Sequence, residues 1–113
     1  MSSPTRGEVW RVDFSPTRGH EQAGVRPALI VSDDRFNLGP SGLVIVLPLT
    51  TTTRGYPFHI EVNPAESGLE RISFIMADQI RTVSKDRLLE YLGSIGPETL
   101  DEVDEAMRIL LAL

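Results

Sequence analysis

Alternating hydrophobic and polar residues dominate the first 96 positions of the chain and predict a series of β-strands. Six runs are rich in β-branched or aromatic residues: 8–14, 26–32, 42–49, 58–62, 72–83 and 88–95. The second and third runs are almost continuously apolar, which indicates strands that are buried on both faces. The run 72–83 is long enough for one strand or for a bent pair. Between the runs, residues 33–42 predict a turn region with room for one short helical turn.

The hydrophobic period changes after Gly96, and the new spacing predicts a C-terminal helix of about four turns. Pro97 suits a first helical position, and Glu98 favours the positive end of the helix dipole. One apolar face of this helix would carry Leu100, Val103, Ala106, Met107, Leu110 and Leu111. We therefore predict one domain across residues 1–113, mainly β (α+β), folded as a small, partly open β-barrel with a C-terminal amphipathic helix.

Composition limits the classes of function. Hydrophobic residues make up 41% of the chain and charged residues 24%, as in soluble globular proteins. The absence of cysteine excludes disulfides and thiolate zinc sites, and no segment reaches transmembrane length or matches a signal peptide. We therefore expect a cytoplasmic protein with no membrane association. The net charge of -5 argues against nucleic-acid binding. However, acidic residues in the predicted helix account for most of this charge, so the rest of the protein can still have a basic surface.

Two polar loops contain most of the candidate chemistry. One includes GHEQAGVRP at 19–27, before the second strand, and the other is PLTTTTRGYP at 48–57, after the third. If these strands are neighbours, the loops meet at one rim and could bind a phosphate and accept a proton. A competing structural interpretation pairs Glu21 with Arg26 and uses the threonines to satisfy turn backbone. The residues that would gather there are His20, Glu21, Arg26, Thr50, Thr51, Thr52, Thr53 and Arg54.

Metal, serine-nucleophile and phosphate-loop chemistry have no matching motif in this chain. The two histidines, His20 and His59, lie on different predicted elements, and no spacing matches a metalloenzyme. A GxSxG elbow and a GxxxxGK[ST] loop are also missing. We expect no metal site and no cofactor, and we expect His59 to be a strand-surface residue.

The motifs resemble those of the MazF/PemK/Kid family of toxin endoribonucleases from bacterial toxin-antitoxin systems. GEVWRVDF, PTRGHEQAGVRPALIVS, VLPLTTTTRGYPF and MADQIRTV occur in the order typical of that family, from Arg6 to the end of the terminal helix. The resemblance implies an SH3-like barrel homodimer that cleaves single-stranded RNA without a metal. Attack by the 2′-OH would leave 2′,3′-cyclic phosphate and 5′-OH ends. It also implies a cognate, MazE-like antitoxin whose extended C-terminal tail inhibits the toxin.

The resemblance further implies roles for individual residues. Arg26 and Thr50 would be catalytic, and Glu21 would be the glutamate of the motif. His20 departs from the small polar residue that is frequent in some members of the family. From the chemistry, Glu21 is the candidate base and His20 is a second, possible proton-transfer group. The RNA-binding set would comprise Arg18, Gln22, Thr51, Thr52, Thr53, Arg54, Gln79 and Arg81. Two alternatives stay open: a CcdB-like toxin that binds and inhibits DNA gyrase without cleavage, and a catalytically silent binding module that uses the same rim. The presence of Arg26 and Thr50 favours the nuclease.

Overall fold

The computed structural model describes residues 3–15, 24–52 and 55–113 of the chain. The strands of these segments are β1 (Glu8–Asp13), β2 (Val25–Ile30), β3 (Leu43–Thr50), β4 (His59–Val62), β5 (Ser73–Met76), β6 (Arg81–Ser84) and β7 (Leu88–Ser94). The helices are α1 (Asp34–Leu38), α2 (Pro64–Ser67) and α3 (Pro97–Leu111). Single 3-10 turns occupy Ala77–Gln79 and Lys85–Arg87. None of the helices in these segments combines the length and the apolar character needed to cross a membrane.

The strands follow the predicted hydrophobic runs closely. The long run 72–83 forms the bent pair, since β5 and β6 are separated by a 3-10 turn. Residues 63–68, which the sequence indicated only as a turn, contain the short helix α2. Its N-cap Asn63 accepts a hydrogen bond from the Glu66 N–H, Pro64 occupies the first turn, and Gly68 ends the helix at φ 75°.

All strand pairs are antiparallel, and the order across the sheet is β4-β5-β3-β2-β1-β7. β3 pairs along one edge with β2 and along the other with β6 through its first half and β5 through its second half. Because one long strand serves two shorter partners, the sheet bends around β3. The result is a mainly β, partly open barrel with a C-terminal helix, as predicted.

The hydrophobic core lies on both faces of β2 and β3, also as predicted. Leu29 faces the cluster beneath α3, while Ala28 and Ile30 face a second cluster inside the curved sheet. From α3, Val103 and Ala106 enter the first cluster. The final turn behaves differently, because Leu111 remains 49% exposed. Only the first part of the predicted apolar face is therefore buried.

Close contacts join α2 and the residue that ends it to the start of α3 and to β7, and we call this region the helix seam. The Glu66 carboxylate accepts hydrogen bonds from Gly96 N (2.7 Å) and from the Thr99 hydroxyl (2.9 and 3.0 Å). Gly68 lies so close to β7 that a Cβ atom placed on it would be 1.8 Å from the Leu92 carbonyl oxygen. These contacts fix residues 66–68 against the rest of the fold.

Candidate active site

The start of β2 and the end of β3 meet at one rim of the sheet. Their antiparallel register pairs Ala28 with Pro48 and Leu29 with Leu47. The same register, continued by two residues, sets Arg26 opposite Thr50. The sequence interpretation expected the two polar loops to leave neighbouring strands, and β2 and β3 are neighbours.

At this rim lies a pocket of about 590 Å³, which we call the rim pocket. Its volume is within the range of roughly 300–1,000 Å³ that is usual for ligand sites. Strands β1, β2, β3 and β5 contribute side chains, and the turn after α2 completes the wall. The lining residues are Arg11, Arg26, Pro27, Leu49, Thr50, Thr51, Gly68, Leu69, Glu70, Arg71 and Ser73.

The described lining of the rim pocket is cationic, since three arginines face one glutamate, Glu70. Thr50 Oγ1 accepts a hydrogen bond from Thr52 N (3.2 Å), and a hydroxyl that accepts in this way can still donate its own hydrogen. Guanidinium groups bind phosphate oxygens in bidentate fashion, and a hydroxyl adds a further donor. The arrangement therefore suits an anionic ligand such as a phosphodiester.

The rim pocket brings together three of the residues identified from the sequence: Arg26, Thr50 and Thr51. Thr52 follows them and is exposed. Neither Gln79, in the 3-10 turn after β5, nor Arg81 is part of the described lining. The Arg81 guanidinium lies 4.8 Å from the centre of the Phe14 ring. Six more candidates lie outside the described residues: Arg18, His20, Glu21, Gln22, Thr53 and Arg54.

Sequence reasoning missed Arg11, Glu70 and Arg71, which also line the rim pocket. Arg11 occupies an ordinary polar position in an alternating strand. Glu70 and Arg71 follow α2 in a segment that indicated only a turn. Their position depends on the pairing of β5 with the end of β3, Thr50 opposite Phe74, which no local pattern encodes.

The expectation that His59 lies on the strand surface is wrong. Its side chain is only 4% exposed, and its Nε2 atom lies 3.3 Å from Asp78 Oδ1. The contact is too poorly aligned for a hydrogen bond, and within the described residues neither ring nitrogen has a hydrogen-bond partner. β4 pairs His59 with Met76, so the 3-10 turn that follows β5 comes close to the imidazole. The burial is therefore a consequence of strand pairing.

Comparison with known proteins finds similarity over nearly the whole chain. The sequence profile of the PemK-like, MazF-like toxins of type II toxin-antitoxin systems matches residues 5–111. Endoribonuclease EndoA of Bacillus subtilis (strain 168) is 39% identical over 109 residues, which cover 96% of this chain and 94% of EndoA. The crystal structure of MazF from Deinococcus radiodurans superposes with a TM-score of 0.87 at 32% identity and full coverage of both chains. An endoribonuclease from a mycobacterial species, solved with its cognate antitoxin, gives a TM-score of 0.80 at 32% identity and covers 100% of this chain and 97% of that one.

Proposed function

The chain belongs to the PemK-like, MazF-like toxins of type II toxin-antitoxin systems and is an endoribonuclease, and we propose that it cleaves single-stranded RNA in the rim pocket without a metal ion. The observation that carries this proposal is that Arg26 and Thr50, from neighbouring strands, line one cationic pocket. Its cationic lining contrasts with a chain whose net charge is -5. RNA is the polyanion that fits both the pocket and the named activity of EndoA.

The reaction needs few groups because RNA carries its own nucleophile, the 2′-OH, which DNA lacks. A base removes the 2′-OH proton, and the oxygen attacks the adjacent phosphorus. The bond to the leaving 5′-oxygen then breaks, and that oxygen takes up a proton. The products are a 2′,3′-cyclic phosphate and a 5′-OH end. Arg26 stabilises the negative charge that develops on the phosphorane oxygens, and the Thr50 hydroxyl donates a hydrogen bond to one of them.

Proton transfer is assigned to the loop before β2. Glu21 is the base in this proposal, and His20 is the second candidate for proton transfer. Replacement of Glu21 by Gln should lower cleavage strongly, whereas Glu70→Gln, which removes a carboxylate from the described pocket wall, should leave cleavage near wild type. The reverse result would transfer the role of base to Glu70.

The remaining parts of the proposal concern RNA contacts and partners. The side chains that contact the RNA strand in this proposal are Arg18, Gln22, Thr51, Thr52, Thr53, Arg54, Gln79 and Arg81. The active form is a cytoplasmic homodimer, and a cognate MazE-like antitoxin inhibits it by laying an extended C-terminal tail over the RNA site. The mycobacterial endoribonuclease solved with its antitoxin supports this partner. Gyrase inhibition without cleavage has no comparable support.

The test is cleavage of single-stranded RNA by purified protein in the presence of EDTA. We expect cleavage to continue and the new ends to be a 2′,3′-cyclic phosphate and a 5′-OH. A 2′-deoxy nucleotide immediately 5′ to the cut should abolish cleavage, because the nucleophile is missing. Cleavage of the deoxy substrate, or loss of activity in EDTA that added metal restores, would overturn the mechanism.

A further inference from the structure

The rim pocket extends beyond the two central strands that carry Arg26 and Thr50. Along the sheet order β5-β3-β2-β1, Thr50 lies on β3 and Arg26 on β2. Arg71 lies two residues before β5, and Arg11 lies on β1. All four side chains belong to the lining of one pocket. Two arginines therefore flank the predicted catalytic pair, one on each outer side.

The spacing of strands separates these outer arginines from the central pair. Neighbouring strands lie about 4.8 Å apart, so the three intervals from β5 to β1 span roughly 14 Å at the backbone. A single phosphate group bound between Arg26 and Thr50 leaves the outer arginines facing other parts of the ligand. An extended RNA strand that crosses the pocket presents a further phosphate on each side of the one that is cleaved.

The segment that carries Arg71 is fixed at both ends. At one end, Gly68 packs against the Leu92 carbonyl in the helix seam. At the other end, the Ser73 hydroxyl of β5 donates a hydrogen bond to the Arg71 carbonyl oxygen (3.2 Å). The Arg71 residue itself is exposed. Its guanidinium therefore projects from a backbone that needs little ordering when a ligand binds.

Arg11 is held differently, because its Nε atom donates to Glu90 Oε1 at 3.2 Å. This bond leaves the two terminal nitrogens of the guanidinium outside the contact, although the carboxylate offsets part of the positive charge. Both side chains are well exposed, so the pair is weak and screened. We therefore expect a smaller contribution to anion binding from Arg11 than from Arg71.

We propose that Arg71 binds an RNA backbone phosphate next to the one that is cleaved, and that Arg11 binds a phosphate on the opposite side more weakly. The inference rests on the proposed function, which puts the RNA strand in the rim pocket. Phosphate contacts fix the position of a strand without reading its bases, so the contribution of Arg71 is independent of sequence. It is also sensitive to salt, because each phosphate contact releases counterions.

The test measures RNA binding and turnover in matched variants. The probe is a fluorescent oligoribonucleotide that the wild type cleaves, made with a 2′-deoxy nucleotide at the cut. Arg71→Ala should bind it about 10-fold more weakly, the lower range for a charge-assisted contact at an exposed site. The slope of log K against log salt, measured between about 50 and 200 mM, should become shallower by ~0.7. Arg71→Lys should keep the slope, because it keeps the charge.

Turnover separates phosphate binding from catalysis. With the cleavable oligonucleotide, Arg71→Ala should raise KM and leave kcat within about twofold of wild type, as expected for lost uniform binding. The control is Arg108→Ala on α3, which removes the same charge from an exposed arginine paired with Glu105, outside the described pocket lining. The Arg108→Ala variant should match wild type in affinity for the oligoribonucleotide, in the salt dependence of that affinity and in KM. Thermal unfolding of each variant checks the fold.

Two results would overturn the inference. Arg71→Ala could match Arg108→Ala in affinity for the oligoribonucleotide and in salt slope, or it could lower kcat with KM unchanged. A wild-type protein that neither binds nor cuts RNA would instead refute the proposed function. Wild-type cleavage together with an unaffected Arg71→Ala variant would refute only the Arg71 assignment.

Discussion

The rim pocket and the helix seam are joined by one short stretch of chain, yet they use polar residues in opposite ways. In the helix seam, the Glu66 carboxylate finds its donors inside the protein, at Gly96 and Thr99. Two and three residues after Gly68, Glu70 and Arg71 line the rim pocket. A polar group that is satisfied internally stabilises the fold, whereas one that faces a cavity is available to a ligand.

This difference separates the expected effects of mutation. Changes in the rim pocket should alter RNA cleavage and leave the free energy of unfolding nearly unchanged. Changes in the helix seam should lower that free energy first. Gly68 belongs to the helix seam and also lines the rim pocket, so its substitution should affect cleavage as well. The three predictions that follow test this separation.

The largest effect is expected for Arg26→Ala. Loss of a group that stabilises transition-state charge should lower cleavage by about 100- to 1000-fold. Arg26→Lys should also remain well below wild type, because lysine keeps the charge but lacks the bidentate fork. If Arg26 and Thr50 act on one phosphorane, the double variant with Thr50→Ala should lose less than the product of the two single losses. RNA cleavage assays measure all three.

Folding should survive in these variants, which denaturant unfolding can check. Full activity in folded Arg26→Ala protein would remove the central residue from the mechanism. If Arg26→Ala protein did not fold, Arg26 would be needed for stability. The rim pocket would then not differ from the helix seam in the way proposed here.

The second effect concerns Gly68→Ala in the helix seam. Gly68 has φ 75°, and a Cβ there would lie 1.8 Å from Leu92 O, so backbone must move. We expect the free energy of unfolding to fall by about 2 to 3 kcal/mol. Gly42→Ala is the matched control, since Gly42 has φ 73° but nothing within 4 Å of its Cβ position. It should lose only the ~1–2 kcal/mol cost of the left-handed conformation. Equal losses in urea unfolding would show that the close approach contributes nothing.

The smallest effect is expected at the N-cap of α1, away from both regions. The side-chain hydrogen bonds from Arg35 are the main reason why the pKa of Asp33 falls from 3.8 to about 2, and the Arg35 backbone N–H adds to them. Because the folded pKa is the lower one, the stabilising contribution is complete well above pH 3.8 and is lost as the pH falls towards 2. Arg35→Ala should raise the Asp33 pKa towards its ordinary value, as measured by NMR titration.

Cleavage at neutral pH should not change in Arg35→Ala, since Asp33 stays ionised there with or without its partner. A drop in cleavage would mean that exposed charges distant from the rim pocket matter as much as those that line it. The Asp33–Arg35 pair therefore shows how much the loss of an exposed charge outside the rim pocket changes cleavage, and the other two variants can be compared with it.

The sequence by itself indicated every strand and the long helix α3, although not the short helix α2, and it predicted a catalytic pair. Period-2 runs became strands, and the 3.6-residue period after Pro97 became α3, because both signals are local. The continuously apolar runs correctly indicated that β2 and β3 are buried on both faces. Arg26 and Thr50 could be identified because they stand at the ends of those two runs, within recognisable motifs. The catalytic roles of these two residues stay predictions.

Only the tertiary structure decided which other residues line the rim pocket and which side chains predicted to be at the surface are buried. Arg71 reaches the rim pocket because β5 pairs with the end of β3, and Arg11 because β1 pairs with β2. The His59 side chain is buried because β4 pairs with β5 beside a 3-10 turn. Each of these contacts joins positions far apart in the chain, and long-range pairing depends on the packing of the whole sheet. A local hydrophobic pattern reports which face of a strand is buried, but it carries no information on which edge meets which neighbour.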